Sequence, residues 1–267
     1  MWLLQTGTVL AETDDNFVFC VPRDLTSYLN PPGPFPDVAF FVRDSGLGAT
    51  EFHMMSGRAT YQQYLLQMAM PWAPSDAATY DLLWDGDVTR AFRVNKVTGV
   101  VERADPRTGT ATGKASIPFG RGVLQPNFRF LLTQNGLMAI DPKGPSGNTE
   151  VYVTNYVSTG SGYGYSVPVR YTTLWGPSDD TLDFVDPGGG GLALYNRGTT
   201  ASGFTEYASV DSSFQRYQGS LPDRVTELNA PVGTNHQVML HRGKMVVVIK
   251  NGTGTQTTEV HIANNPP

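Results

Sequence analysis

One short pattern recurs along the chain and restricts its fold more than any other feature. A glycine, a short gap, Thr-Glu and an apolar or aromatic residue appear as Gly48-Ala-Thr-Glu-Phe52, Gly147-Asn-Thr-Glu-Val151 and Gly203-Phe-Thr-Glu-Tyr207. A weaker copy runs Gly99-Val-Val-Glu-Arg103, and a longer one Gly254-Thr-Gln-Thr-Thr-Glu-Val260. The glutamates fall at 51, 102, 150, 206 and 259, so the intervals are 51, 48, 56 and 53 residues. A period of that size marks one supersecondary unit stacked on copies of itself.

Each copy follows an apolar run and a turn. The runs are Val38 to Val42, Ala91 to Val94, Leu137 to Ile140, Leu192 to Tyr195 and Met245 to Ile249. The turns carry Asp or Asn close to Gly, residues that tolerate positive φ and bond their own backbone. Run, turn and Thr-Glu segment therefore predict a hairpin in each unit. A further strand precedes each hairpin, at Phe17–Val21, Asp81–Asp85, Phe128–Leu132, Leu182–Asp186 and Gln237–His241. A fourth is expected at Tyr64–Met68, Ala115–Phe119, Val167–Tyr171 and Phe214–Tyr217. Residues 60–70 also suit a helix by propensity, but the repeat favours strand.

Four strands per unit at this period predict an all-β, five-bladed β-propeller in one domain, with a six-bladed ring as the alternative. The units lie near 13–72, 73–122, 123–176, 177–222 and 223–267. The last unit lacks a fourth strand, and Trp2-Leu-Leu-Gln-Thr6 is expected to complete it, removing a free sheet edge. Five prolines and glycines in Asn30-Pro-Pro-Gly-Pro-Phe-Pro36 predict an exposed, stiff loop between the first two strands of the first unit.

Composition narrows the function. The net charge is −5 with no run of Lys and Arg, which disfavours nucleic acid and anionic membrane surfaces. No apolar stretch is long enough to span a bilayer. The N-terminus has no basic segment and no continuous apolar core, so no secretory signal is read; a soluble chain, cytoplasmic or non-classically exported, is expected. The single cysteine, Cys20, excludes an intrachain disulfide and reads as a small buried hydrophobe. No nucleophile elbow and no phosphate loop occur; the run Gly188 to Gly191 lacks the Lys-Ser/Thr that a phosphate loop needs.

Two clusters and two indoles are the candidate ligand-binding residues. In Asp81-Leu-Leu-Trp-Asp-Gly-Asp87, Trp84 can serve as a stacking platform with Asp85 and Asp87 as acceptors for a sugar or calcium. The same residues also read as a hairpin turn and a core indole. In Thr181-Leu-Asp-Phe-Val-Asp186, Asp183 lies on a first strand, which in a propeller lines the channel. Carboxylates there can bind a sugar or work on a glycosidic bond; as turn and solubility residues they need do neither. Trp72 and Trp175 occupy matching places in two units, as repeated packing anchors or repeated sugar platforms. Glu51/His53 and Glu259/His261 each share a strand face, too few convergent ligands for a metal site. No cofactor is implied. The Thr-Glu motif itself reads first as a strand element with its glutamate on a turn or exposed face.

The repeat, with units such as Leu192-Ala-Leu-Tyr-Asn-Arg-Gly198 leading to Phe204-Thr-Glu-Tyr207, resembles tachylectin-type lectin propellers and the FG-GAP-type repeats of bacterial propellers. That resemblance implies sugar binding, one pocket per blade. The blades here differ from one another, which departs from several equal sites. A lectin-like carbohydrate binder with a glycan or other small ligand is therefore the first expectation. A glycoside-acting enzyme with one site at the channel mouth, tested at Asp15, Asp81 and Asp183, is the second. A protein-interaction ring, such as a toxin or virion component, is the third. The oligomeric state is open.

Overall fold

A computed structural model describes residues 2–11, 13–20, 36–56, 64–86, 90–120, 122–160, 162–178, 182–186, 191–196, 206–216, 223–224, 236–241, 244–250 and 257–264. Among them every regular element is a strand, and no helix long and apolar enough to cross a membrane occurs. The chain opens with β1 (Trp2–Ala11). The first blade holds β2 (Phe17–Cys20), β3 (Pro36–Val42), β4 (Glu51–Ser56) and β5 (Tyr64–Ala69). The second holds β6 (Tyr80–Trp84), β7 (Ala91–Asn95), β8 (Val100–Asp105) and β9 (Thr110–Ser116). The third holds β10 (Arg129–Thr133), β11 (Gly136–Asp141), β12 (Glu150–Thr159), β13 (Gly162–Tyr165) and β14 (Val169–Thr172). The fourth holds β15 (Leu182–Val185), β16 (Leu192–Asn196), β17 (Glu206–Val210) and β18 (Asp223–Arg224). The fifth holds β19 (His236–His241), β20 (Lys244–Ile249) and β21 (Thr257–Asn264).

Each blade is an antiparallel meander, and the described strands form five sheets. β1 pairs with β21, with Gln5 opposite His261 and Thr6 opposite Val260, so the N-terminal strand completes the fifth blade. Each blade is tied to the next by side chain to backbone bonds. Arg43 Nη1 donates to the Tyr80 carbonyl (2.9 Å), and the Phe130 amide donates to Asp81 Oδ2 (2.8 Å). Arg129 Nη1 donates to the Leu182 carbonyl (2.7 Å), and the Val238 amide to Asp183 Oδ2 (2.8 Å). Gln237 then accepts from the Phe19 amide and donates to the Phe19 carbonyl (3.3 and 2.9 Å), which returns the series to the first blade. The protein is a β-propeller with its first strands at the axis.

The core lies between blades. One cluster joins blades one and two through Phe41, Phe52, Trp72, Leu82 and Trp84. A second joins blades two and three through Phe92, Val101, Phe128, Phe130 and Tyr152. A third joins blades three and four through Met138, Ile140, Phe184, Leu192 and Phe214. A middle strand is thus covered on both faces; all six residues of β11 are buried. That is why the second strands read as continuous apolar runs rather than alternating ones. Each large side chain so enclosed contributes about 1.5–3 kcal/mol.

The repeat threonine is a staple. Thr50 Oγ1 bonds the Arg43 carbonyl (3.0 Å) and the Ser75 hydroxyl (3.0 Å). Thr149 Oγ1 bonds the Gly176 carbonyl (2.9 Å) and the Ser178 hydroxyl (2.6 Å). Both threonines are fully buried. The repeat glutamates take partners within their own sheets: Glu51 with His53 and Gln67, Glu102 with Arg93 and Lys114, Glu150 with Arg170 and Tyr152.

Two expected strands are corrected. The fourth strand of blade two is the polar, largely exposed β9, upstream of Ile117 and Phe119. An outermost strand faces water on one side, so the apolar residues after it were the misleading signal. Residues 214–216, the described part of the expected fourth strand of blade four, do not form it. Phe214 sits in a turn at φ 59°, buried against Tyr171 (4.9 Å between rings), and β18 lies further on. The proline-rich loop lies outside the described residues, apart from Pro36, which begins β3.

Candidate functional site at the seam of blades two and three

The third blade departs from the four-strand plan. β12 runs for ten residues, pairing with β14 over its first part and with β13 over its last. The added hairpin carries Tyr156-Val-Ser-Thr-Gly-Ser-Gly-Tyr-Gly-Tyr165. Strand alternation directs Tyr156 on β12 and Tyr163 and Tyr165 on β13 to a common side. Their rings meet there, with centroids 5.6 Å apart for Tyr156 and Tyr165, 5.9 Å for Tyr163 and Tyr165, and 6.4 Å for Tyr156 and Tyr163.

Blade two supplies the floor. Arg103 of β8 lies over the Tyr163 ring, its guanidinium carbon 4.4 Å from the centroid. Arg103 is held by Thr112, bonding both its hydroxyl and its carbonyl (3.1 and 3.3 Å). Gly113 on β9 leaves room for the tyrosine: a Cβ there would lie 2.7 Å from Tyr163 Cε1. Asp85 and Arg90, at the end of the β6–β7 hairpin, form an ion pair (2.7 Å) and act electrostatically on the Tyr156 hydroxyl.

All three phenols stay neutral near pH 7. Burial pushes Tyr156 up to about 12, and pushes Tyr163 and Tyr165 up as well. The hydroxyls of Tyr163 and Tyr165 are buried and have no hydrogen-bond partner among the described residues. Together these groups offer aromatic faces, neutral hydroxyls, one guanidinium and one acid–base pair, the combination by which small polar ligands with apolar faces are held.

The expected site residues are dispersed. Trp72 and Trp84 are 4% and 7% exposed, enclosed in the cluster between blades one and two, with Trp84 against Phe52 at 5.2 Å. Trp72 is also a backbone anchor, its carbonyl accepting from the Thr50 amide (3.0 Å); Trp175 repeats this with Thr149 (3.0 Å). Trp175 is half-buried beside the cluster of blades three and four. Asp183 ties blade four to blade five, and Asp85 borders the tyrosine cluster. Asp87 lies outside the described residues. Among the described residues no group of three His, Cys, Asp or Glu side chains could hold a metal ion. The tyrosines and Arg103 escaped the sequence reading. Their signal was the interval of 56 residues after Glu150, the longest of the four, with a Tyr-Ser-Gly run inside it.

No family model and no curated protein matches the chain. Among solved structures it is similar to an endo-arabinase from Bacteroides thetaiotaomicron, at 12% identity and TM-score 0.47, covering 94% of this chain and 98% of that one. It is also similar to an α-L-arabinofuranosidase from Podospora anserina in complex with cellotriose, at 9% identity and TM-score 0.46, covering 98% and 96%. A third is the WD40 domain of coronin from Toxoplasma gondii, at 10% identity and TM-score 0.38, covering 86% and 53%. Likeness at this level carries no substrate across.

Proposed function

We propose that this chain is a carbohydrate-binding propeller whose ligand docks on the tyrosine seam. The observation that carries this reading is the stacking of Arg103 on Tyr163 beside Tyr156, at the place where one blade leaves the repeat. Binding groups commonly sit on such additions to a rigid scaffold. A sugar ring would lay its apolar face on Tyr156 or Tyr163, and its hydroxyls would meet Arg103, Asp85 and Arg90. The Tyr, Ser and Gly content of the hairpin supports the same role, since rigid aromatic anchors with small adaptable neighbours make contact area at low entropic cost. A glycan-array screen followed by titration of the hits tests it. Tyr156→Ala and Tyr163→Ala should each weaken a hit roughly tenfold or more. A blank array, or hits indifferent to both variants, would sink the proposal.

One observation favours glycoside hydrolysis as a second reading. Burial raises the Asp81 carboxyl above its ordinary range, against the pull of Lys96, and a general acid needs such a shift. Release of reducing sugar from arabinan or xylan, abolished in Asp81→Asn, would favour the enzyme over the binder.

A further inference from the structure

Arg103 stands in the tyrosine seam without a counter-charge. Arg90, Arg93, Arg107 and Arg170 each meet a carboxylate, at 2.7, 2.5, 2.8 and 2.5 Å. Arg103 meets none among the described residues. The acids on the strands around it are engaged elsewhere: Asp85 with Arg90, Asp105 with Arg107, and Glu102 with Arg93 and Lys114. Glu102 also lies on the opposite face of β8, because side chains alternate along a strand.

What holds Arg103 is neutral. Its Nε donates to the Thr112 hydroxyl and its Nη2 to the Thr112 carbonyl (3.1 and 3.3 Å), and its guanidinium carbon lies 4.4 Å from the centre of the Tyr163 ring. A guanidinium carries five N–H donors in a planar fork. Thr112 takes the edge made by Nε and Nη2. The other edge, made by Nη1 and the second hydrogen of Nη2, has no bond among the described residues. Both bonds to Thr112 are solvent-exposed and Arg103 is half-buried, so a solute can reach that edge. The tyrosines beside it are incomplete as well. The Tyr163 and Tyr165 hydroxyls are buried with no hydrogen-bond partner among the described residues, and Tyr165 is 6% exposed. Among those residues Arg103 is the charged side chain that acts on both phenols, which makes the local potential positive.

On the reading that the seam holds a sugar, we infer that this sugar is acidic: its ring packs on the tyrosines, and a carboxylate or sulfate substituent takes the unused edge of Arg103. Two parallel N–H groups match two oxygens of such a substituent, and bonds of that kind are about twice as strong as those between neutral partners. A neutral sugar would bring the tyrosines their contact area but no charge for Arg103. The inference rests on the sugar reading and adds the class of sugar to it.

A glycan array carrying neutral, uronate-bearing and sulfated oligosaccharides tests this on the full chain. Each acidic hit is then titrated beside its uncharged counterpart, the methyl ester of the uronate or the desulfated sugar. Acidic glycans should dominate the hits, and removing the charge from the sugar should weaken binding roughly tenfold or more. That comparison uses the parent protein, so it does not depend on any variant folding. Hits among uronates would identify a carboxylate as the group on Arg103; hits among sulfated glycans would identify a sulfate. Arg103→Gln should bring an acidic hit down to the affinity of its uncharged counterpart and leave the counterpart itself unchanged, a pattern that general damage to the seam would not produce. Arg103→Lys keeps the charge without the fork and should fall between the two. Acidic hits indifferent to the loss of their charge or to Arg103→Gln would overturn the inference. So would neutral hits that are lost in Tyr163→Ala, which would leave the seam a sugar site of another class. An array blank throughout would remove the sugar reading and this inference with it.

Discussion

The hydroxyls of Thr13 and Thr258 lie 3.0 Å apart although 245 positions separate them in the chain. Both residues are buried, and both bond the Lys250 carbonyl, Thr13 through its amide (2.8 Å) and Thr258 through its hydroxyl (3.1 Å). The same arrangement joins Thr50 to Ser75 and Thr149 to Ser178 within the ring. Closure of the propeller thus reuses the staple that fastens one blade to the next. In the fifth blade the partner hydroxyl comes from the N-terminal end.

Thr258→Val keeps the side-chain shape and deletes the hydroxyl, leaving Thr13 and the Lys250 carbonyl less satisfied in a buried place. A loss of about 1–2 kcal/mol is expected, seen as a lower urea midpoint at unchanged slope. Thr50→Val should cost a similar amount. If Thr50→Val destabilises and Thr258→Val does not, the N-terminal closure contributes nothing in solution.

Acid should act through Glu150. Its side chain is fully buried, and burial alone would raise its carboxyl. Donors from Arg170, the Ser146 amide and the Tyr152 hydroxyl outweigh that and hold it below the ordinary glutamate range. A carboxyl depressed by folding adds stability that is present above its unfolded value and lost as pH falls through the folded one. Glu150→Gln should therefore cost about 1–3 kcal/mol at pH 7. The gap to the parent should narrow below roughly pH 4. Unfolding curves at pH 7 and pH 3 measure both terms; a gap constant with pH would remove Glu150 from the acid response.

Much of the ring was legible because its signals are local. Apolar second strands such as Leu137 to Ile140 are buried on both faces, and turns such as Asn95 to Gly99 need a residue at positive φ; Gly99 has φ 71°. The Thr-Glu pair marks hairpins because Thr50 and Thr149 are buried staples. Outer strands were harder. β9 presents Thr110, Thr112 and Lys114 to water, and no apolar pattern distinguishes it from a loop. Phe214 looked like a strand residue because burial was mistaken for extension. The tyrosine seam was invisible for another reason. Arg103 and Tyr163 are far apart in the chain, and only the packing of β13 beside β9 brings them together.

Cys20 should be a poor nucleophile. Burial drives its thiol up to about 12, so the thiolate fraction at pH 8 is very small. Reaction with a disulfide reagent at pH 8 should be slower than that of a free cysteine by a factor of at least ~100. Adding denaturant should restore the ordinary rate. A fast reaction in the native protein would mean that the β2 region opens readily.

Tyr165 separates the needs of folding from those of binding. Its hydroxyl is buried without a partner among the described residues, a state that costs free energy in the unliganded protein. Tyr165→Phe removes that hydroxyl while keeping the ring among Tyr156 and Tyr163. Stability should stay level or rise, by up to about 1 kcal/mol. Gly113→Ala should act in the opposite way, because its new methyl would collide with Tyr163 Cε1 and displace the ring. If the seam holds a sugar whose hydroxyl meets Tyr165, Tyr165→Phe should weaken that ligand while the fold becomes no less stable. Thermal unfolding and glycan titration of the two variants give both quantities. A Tyr165→Phe protein that loses stability would show that the hydroxyl already has a partner in solution, and the seam would then be a packed joint rather than a receptive one.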